Sequence, residues 1–181
     1  MNLQIEQLRA IQGLQVEYDQ DLRERRIDYY IELWSSTMPL ARYSEPGPLP
    51  YNRVGPLATS LRDWYFKGGG LFMSERTRNV YFDLQDALRI VEQKRGGRWP
   101  FANIDMERPE DQSRLRQHLR PGEDWGIPKE VARLANDTEI NQSGLNVPDG
   151  AFDNLRSLSS ALRTGLAYDV RTREVSVLNI S

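Results

Sequence analysis

Apolar residues recur at steps of three and four along the first 38 residues, and no proline interrupts them. This spacing places them on one face of an α-helix, so residues 2–38 are expected to form one long helix, continuous or bent near Arg25. At ~1.5 Å per residue the helix is longer than a compact domain requires. We therefore expect its first half to project and pair in a coiled coil, with folding back as the alternative. The stripe comprises Ile5, Leu8, Ile11, Leu14, Tyr18, Leu22, Tyr29, Tyr30, Leu33 and Trp34.

Proline and glycine divide the next part of the chain. Five prolines from Pro39 to Pro56 argue against regular structure and predict an extended connection over residues 39–56. A second helix is expected to start at Pro56 and to end at Gly68-Gly69-Gly70. The reason is that glycine accepts the left-handed backbone conformation common at helix C-termini.

The middle of the chain combines one regular helix with an irregular segment. A third helix is expected to begin at its N-cap, Ser74, and to end at Gly96-Gly97. Residues 96–148 are rich in turn formers and predict an irregular insertion that contains two short helices, one opened by Pro109 and one by Pro128. The expected anchors of this insertion on the rest of the protein are Trp99, Phe101 and Ile104.

A last long apolar stripe lies near the C-terminus, and Asp149 is expected to cap the helix that carries it. The stripe comprises Phe152, Leu155, Leu158, Leu162, Leu166 and Val170. Beyond it, Val175, Val177 and Ile180 alternate with polar residues, which predicts a short strand, a disordered or docked tail being the alternative.

These elements together predict an all-α fold in a single domain, residues 1–181. Four main helices form the bundle, and two short helices are added to it. The bundle itself is expected to span residues 57–170, interrupted by the insertion at 96–148.

Composition narrows the possible functions. The chain has 181 residues, no cysteine and a net charge of −2. The absence of cysteine excludes disulfides, thiolate metal sites and thiol catalysis, and favours a cytoplasmic location. The balanced charge argues against nucleic acid as a partner. No signal peptide or membrane-spanning segment is evident, so we expect no direct insertion into a membrane.

The three consecutive glycines permit two interpretations. A glycine-rich turn before a helix can present backbone N–H groups to a phosphate. Here, however, a helix rather than a strand precedes the glycines, and the Gly-Lys-Ser/Thr ending of a P-loop is missing, so helix termination is the main interpretation. The alternative is an anion or nucleotide site at the Gly70–Arg78 turn, formed by Gly69, Gly70, Ser74, Arg76 and Arg78.

Surplus aromatic residues suggest a buried cluster or a binding surface. Trp64, Tyr65 and Phe66 are consecutive and fan over about 200° of the helix, which is more than one neighbouring helix can cover. We expect residues 71–73 and the proline-rich connection to cover the remainder. The alternative is a partner surface that includes Tyr65 and Phe66, together with Leu8 and Ile11 of the first helix.

Residues that could carry catalysis are sparse. His118 is the only histidine, and we expect it to lie on the surface, with a role as a general base as the alternative. Asp83 and Asp86 fall on adjacent turns of the third helix and are expected to pair with an arginine, with Arg78, Arg89 and Arg163 as the candidates. No nucleophile motif and no metal-ligand pattern occurs, so neither a cofactor nor a metal is expected.

Four short segments resemble an uncharacterised family of helical bacterial proteins. They are residues 32–34 (ELW), 63–74 (DWYFKGGGLFMS), 81–88 (YFDLQDAL) and 160–173, which begins SALRTGL. The resemblance implies a coherent domain of bacterial origin and carries no activity with it. Some relatives carry membrane helices upstream, which leaves open a position near a membrane through a partner.

The sequence therefore favours a non-enzymatic module for protein–protein interaction or assembly, acting through the N-terminal helix by self-association or with another protein. The competing hypothesis is a ligand-responsive or catalytic domain that binds an anion or nucleotide at the Gly70–Arg78 turn.

Overall fold

The structure is a computed structural model that describes residues 2–41, 49–140 and 144–172; side chains are described from position 13 to 171 within these ranges, except at 15 and 16. This part of the chain is all-α, as predicted, and contains no strand. Its six helices are α1 (Asn2–Ser36), α2 (Tyr51–Trp64), α3 (Glu75–Arg95), α4 (Pro109–Leu119), α5 (Lys129–Asn136) and α6 (Asp149–Thr172). The predicted C-terminal strand at Val175–Ile180 lies outside the described residues.

Helix α3 is the centre of the bundle, and both α2 and α6 pack along it. Its Ser74 cap is as predicted, because the Ser74 hydroxyl accepts a hydrogen bond from the Thr77 N–H at 3.2 Å. The inward face of α3 is fully buried at Tyr81, Leu84, Ala87, Leu88, Ile90 and Val91. The matching face of α6 buries Phe152, Leu155, Leu158, Leu162 and Leu166, which confirms the stripe read from the sequence.

Helix α1 is one helix along its whole length, which confirms the prediction of a single long element. It ends at Ser36, two residues earlier than expected, and a short 3-10 turn over Met38–Leu40 follows. Among the described side chains of α1, the buried ones lie from Arg26 onward and include Tyr30 and Leu33.

Helix α2 starts at Tyr51, five residues before Pro56, so the predicted start was wrong. The residue before Pro56 is Gly55, and without a Cβ it avoids the clash that proline normally imposes on its neighbour in a helix. Flanking hydrogen bonds also fix the start of the helix. The Tyr51 N–H donates to the Leu145 carbonyl at 3.0 Å, and the Val147 N–H donates to the Leu49 carbonyl at 2.8 Å.

The glycines after α2 end the helix, as predicted, through a wide turn over Tyr65–Gly69 and a single helical turn over Gly70–Phe72. Gly68 has a φ of 123°, a conformation that favours glycine. The next two glycines are needed for a different reason. A Cβ on Gly69 would lie 2.4 Å from the Trp64 ring, and one on Gly70 would lie 2.5 Å from the Tyr65 ring.

The insertion between α3 and α6 is anchored as expected. Ile104 is buried, and its backbone N–H and carbonyl both bond to the Asn136 side chain, at 2.7 and 2.6 Å. Trp99 is half-buried and donates to the Ala135 carbonyl at 3.2 Å. These bonds hold the irregular chain against α5.

The expected cap of α6 was wrong by one residue. Asp149 is the first helical residue, and the Phe152 N–H bonds to the carbonyl of Pro148 at 2.8 Å. Asp149 is still favourable in the first turn, because its negative charge lies near the partial positive charge at the N-terminus of the helix. No helix in the described ranges is both long and apolar enough to cross a membrane.

Candidate functional site

The N-terminal half of α1 projects from the bundle. Between positions 14 and 25 every described side chain is exposed except that of Leu22, which is half-buried. Leu14 and Tyr18 are 67% and 63% exposed although both belong to the apolar stripe. The side chains of Leu8 and Ile11 lie outside the described ones, although the helix backbone continues through both positions. The described side chains of this half, from position 13 to 25, therefore have little contact with the bundle.

Packing of α1 begins at Arg26 and is secured by two tyrosines. The Tyr29 hydroxyl donates to the Lys67 carbonyl at 3.0 Å, and the Trp64 indole N–H donates to the Tyr29 carbonyl at 2.8 Å. The Tyr30 hydroxyl donates to the Phe72 carbonyl at 2.6 Å. Because of these bonds, the second half of α1 is fixed to the turn between α2 and α3.

An apolar groove runs between α1 and α6, and we call it the α1–α6 groove. Its volume is about 580 Å³. Two of its side chains, Ile31 and Trp34, are 59% and 49% exposed. The residues that line it are Ile27, Tyr30, Ile31, Trp34, Ser35, Leu166, Ala167, Val170 and Arg171. The sequence indicated Trp34 as part of the apolar stripe of the first helix, but helical periodicity does not predict a gap between two helices beside it.

The hypothetical anion site at the glycine turn already contains a carboxylate of the chain. Asp169 of α6 is buried, and its Oδ2 accepts a hydrogen bond from the Ser74 N–H at 3.0 Å. An incoming anion at the N-terminus of α3 would compete with this carboxylate for the same donor. The N–H group that an anion would need is thus engaged.

The remaining residues of that hypothetical site are spread apart. Gly69 and Gly70 are buried under aromatic rings. Arg76 is exposed and lies 5.9 Å from the centre of the Tyr168 ring, whereas Arg78 donates a long hydrogen bond of 3.5 Å to the Met73 carbonyl. The structure therefore brings Ser74 together with Asp169. Arg78 lies beside the peptide that joins Met73 to Ser74, whereas Arg76 lies against Tyr168.

The aromatic residues after α2 have different environments. Trp64 is buried, and Tyr65 is half-buried with its ring stacked on Tyr81 at 5.0 Å. Phe66 is 79% exposed, and Leu71 is 85% exposed. The expectation that residues 71–73 cover this side is therefore wrong for Phe66, since Leu71 points to solvent. Of the two predicted partner-surface residues in this turn, Tyr65 and Phe66, only Phe66 exposes most of its side chain.

A buried charge cluster joins α3 to the segment after α4. The Arg120 guanidinium bonds to Asp83 at 2.5 Å and to Asp86 at 2.6 Å, and it lies 3.5 Å from the centre of the Trp125 ring. Burial raises the pKa of Asp86 to about 6, although Arg120 opposes the shift. Burial likewise raises the pKa of Asp83.

The predicted partners of these two aspartates were wrong. Arg89 donates instead to the Leu119 carbonyl at 3.0 Å, and Arg163 donates to the Thr37 hydroxyl at 3.2 Å. Arg120 directly follows α4 and is separated from α3 by an irregular segment and by that helix. Helical spacing identifies only neighbours about one turn away, so it gave no signal for Arg120.

His118 is half-buried, so its expected place on the surface was wrong. One ring nitrogen lies 2.8 Å from the Gln93 amide oxygen, and the ring packs edge-on against Trp99 and Phe101, each at 5.4 Å. Burial, followed by the charge of Arg89, lowers the pKa of His118. These contacts make it part of the packing between α3 and α4. In the part of the chain that the structure describes, no group of three or more acidic or histidine side chains is arranged to hold a metal ion.

Comparison with known proteins identifies no further functional residue. No protein-family model, no curated protein and no solved structure matches the chain.

Proposed function

We propose that this protein is a non-enzymatic interaction or assembly module, and that the projecting half of α1 is its binding element. One observation carries the proposal: α1 begins at Asn2, yet Arg26 is its first buried residue among the described side chains. Leu14 and Tyr18 belong to one apolar stripe on that projecting part and remain exposed.

Most helices in proteins are stabilised mainly by the packing of an apolar face. The described side chains of α1 between positions 13 and 25 have almost no such packing within the chain. Burying exposed apolar surface contributes about 25 cal/mol per Å². A partner that covers Leu14 and Tyr18 would supply this missing stabilisation, and pairing with another helix is the geometry that a thin stripe favours.

The competing hypothesis of an anion or nucleotide at the Gly70–Arg78 turn has less support. It needs the Ser74 N–H and the two nearby arginines together. The Asp169 carboxylate engages the first, and Arg76 and Arg78 lie in different surroundings.

A cytoplasmic location and a bacterial origin belong to the same proposal. The first is supported by the lack of cysteine in the sequence. The second is supported by the segments that resemble an uncharacterised bacterial family, some members of which are joined to membrane helices.

The test is solution mass by light scattering over a range of concentrations. We expect the wild-type chain to self-associate, and the double variant Leu14→Ser, Tyr18→Ser to remain monomeric with its bundle folded. The matched control, Asp19→Ser with Arg23→Ser, changes two exposed residues beside the stripe and keeps the net charge, so it should associate like the wild type.

A wild-type chain that is monomeric at every concentration would contradict self-association. Binding of α1 to a different protein is tested separately, with a photo-crosslinking amino acid at position 18 in living cells. If no protein is captured at this position, binding of a different partner is contradicted as well.

A further inference from the structure

The α1–α6 groove and the stripe of Leu14 and Tyr18 are two exposed apolar surfaces on the same chain. Single exposed apolar residues are common in proteins, but a contiguous apolar groove marks a binding site more often. The groove spans about two helical turns of α1, from Ile27 to Trp34, and a little over one turn of α6, from Leu166 to Arg171.

The two surfaces cannot meet within one chain. Helix α1 is continuous, so its first half extends along the axis beyond Arg26 and cannot fold back beside Ile31 and Trp34. Only another molecule can bring a helix into the groove.

We propose that the α1–α6 groove of one copy receives the projecting half of α1 from a second copy. This inference rests on the proposed assembly function and names the surface that the projecting helix contacts. The dimensions agree, because Leu14 and Tyr18 lie one turn apart, about 6 Å along the helix axis, and the shorter wall of the groove is a little over one turn long.

Charge supports the same pairing. Arg171 of α6 is exposed and lines the groove. The arriving helix carries the exposed acids Glu17 and Asp21 one turn apart, next to its apolar stripe. Asp21 bonds to Arg25 at 3.1 Å, but both side chains are largely exposed and free to exchange partners. Acidic and basic residues thus flank complementary apolar surfaces.

The positions of the two surfaces predict the form of the assembly. At ~100° per residue, the stripe at Leu14 and Tyr18 and the groove residues Ile27, Ile31 and Trp34 face roughly opposite sides of α1. Contacts between two different surfaces are head-to-tail and produce rings or open chains rather than a two-fold dimer. We therefore expect assemblies larger than a dimer, growing with concentration.

Because the chain contains no cysteine, introduced thiols report contacts selectively. The experiment mixes a tagged Leu14→Cys chain with an untagged Ala167→Cys chain and treats the mixture with a short bis-maleimide. We expect a mixed crosslinked product, and at least tenfold less of it when Ala167→Cys is replaced by Ser60→Cys, an exposed site on α2.

Each alternative outcome is distinct. If the chain self-associates but only Leu14→Cys chains crosslink to each other, the stripes pair together; the groove proposal is then overturned while the assembly function stands. If the wild type is monomeric in light scattering and no crosslink forms, then self-association through α1 and the groove proposal are both overturned.

A second variant tests the groove without cysteine chemistry. Ala167→Glu places a charge in the apolar groove, and we expect it to weaken assembly at least tenfold. The matched control is Ala161→Glu, an exposed alanine on the same helix that does not line the groove. Equal assembly of the two variants, with both folded by circular dichroism, would overturn the proposal.

Discussion

The Asp169 carboxylate accepts a hydrogen bond from the Ser74 N–H at 3.0 Å, so the last turns of α6 bond to the first turn of α3. The Tyr30 hydroxyl lies 3.3 Å from the same carboxylate oxygen, which brings α1 to this point as well. Three long helices that are distant in sequence therefore meet at one buried charged group.

Replacing Asp169 with alanine should lower the free energy of unfolding by about 1–3 kcal/mol, because it leaves buried donors without an acceptor. It should also vacate the N-terminus of α3 for another anion. We expect inorganic phosphate to raise the Tm of Asp169→Ala and to leave the wild type unchanged. Asp153→Ala, at an exposed position of the same helix, is the control. A phosphate-dependent rise in the wild-type Tm would instead favour the anion hypothesis for the glycine turn.

Gly69→Ala should destabilise the protein by about 1–3 kcal/mol, since its Cβ would overlap the Trp64 ring and force the packing to shift. Gly13→Ala is a contrasting control, because its Cβ would meet no atom within 4 Å on an exposed helix. That change should stabilise α1 by roughly 0.5–1 kcal/mol. Urea denaturation measures both changes, and equal effects would show that space around Gly69 is not what selects glycine.

Arg120→Met should cost about 3–5 kcal/mol, because it leaves two buried carboxylates without their cation. Converting the whole cluster, with Asp83→Leu and Asp86→Leu added, should recover a large part of that loss. The measurement is the free energy of unfolding in urea for the single and triple variants. A triple variant no more stable than Arg120→Met would indicate that the cluster contributes more than mutual charge compensation.

Acidification should act on Asp86 and His118 in opposite directions. The folded-state pKa of Asp86, about 6, lies above its ordinary value of 3.8, so folding favours the protonated form. Its contribution to stability therefore grows as pH falls through 6 and is lost as pH rises. The pKa of His118 lies below its ordinary value of 6.5, so folding favours the neutral ring, and stability is lost as pH falls through that range.

Unfolding free energies at pH 7.5 and pH 5 separate the two groups. Relative to wild type, Asp86→Asn should be more destabilised by acid, by about 1 kcal/mol, since it lacks the favourable protonation. His118→Gln keeps a side chain that can bond to Gln93 and should be less destabilised by acid. Identical pH dependence in all three proteins would mean that neither group titrates abnormally.

The sequence predicted the elements whose signals are local. The Ser74 cap, the glycines after α2 and the stripe from Phe152 to Leu166 each depend on neighbours within a few positions, and the structure agrees with all three. The start of α2 was missed because proline commonly occupies the first turn of a helix, which placed the start at Pro56. The preceding Gly55 instead allows proline inside the helix.

The candidate site depends on contacts between residues far apart in sequence, which the spacing of apolar residues along a helix does not predict. The carboxylate of Asp169 reaches Ser74 across a large part of the chain, and Arg120 reaches Asp86 across an irregular insertion. The stripe on α1 was predicted from its periodicity, but the groove beside Trp34 arises from how two helices diverge. Only the three-dimensional arrangement contains that information.

Among the described side chains, α1 packs on the bundle from Arg26 onward, and this attached end meets α2 at Tyr29. The Tyr29 carbonyl accepts a hydrogen bond from the Trp64 indole, and its hydroxyl donates to the Lys67 carbonyl. The ring of Trp64 in turn leaves no room for a Cβ at position 69. A partner that displaces the attached end of α1 would therefore disturb the surroundings of a buried tryptophan. A variant that keeps Trp64 and replaces the other three tryptophans would report that displacement by fluorescence.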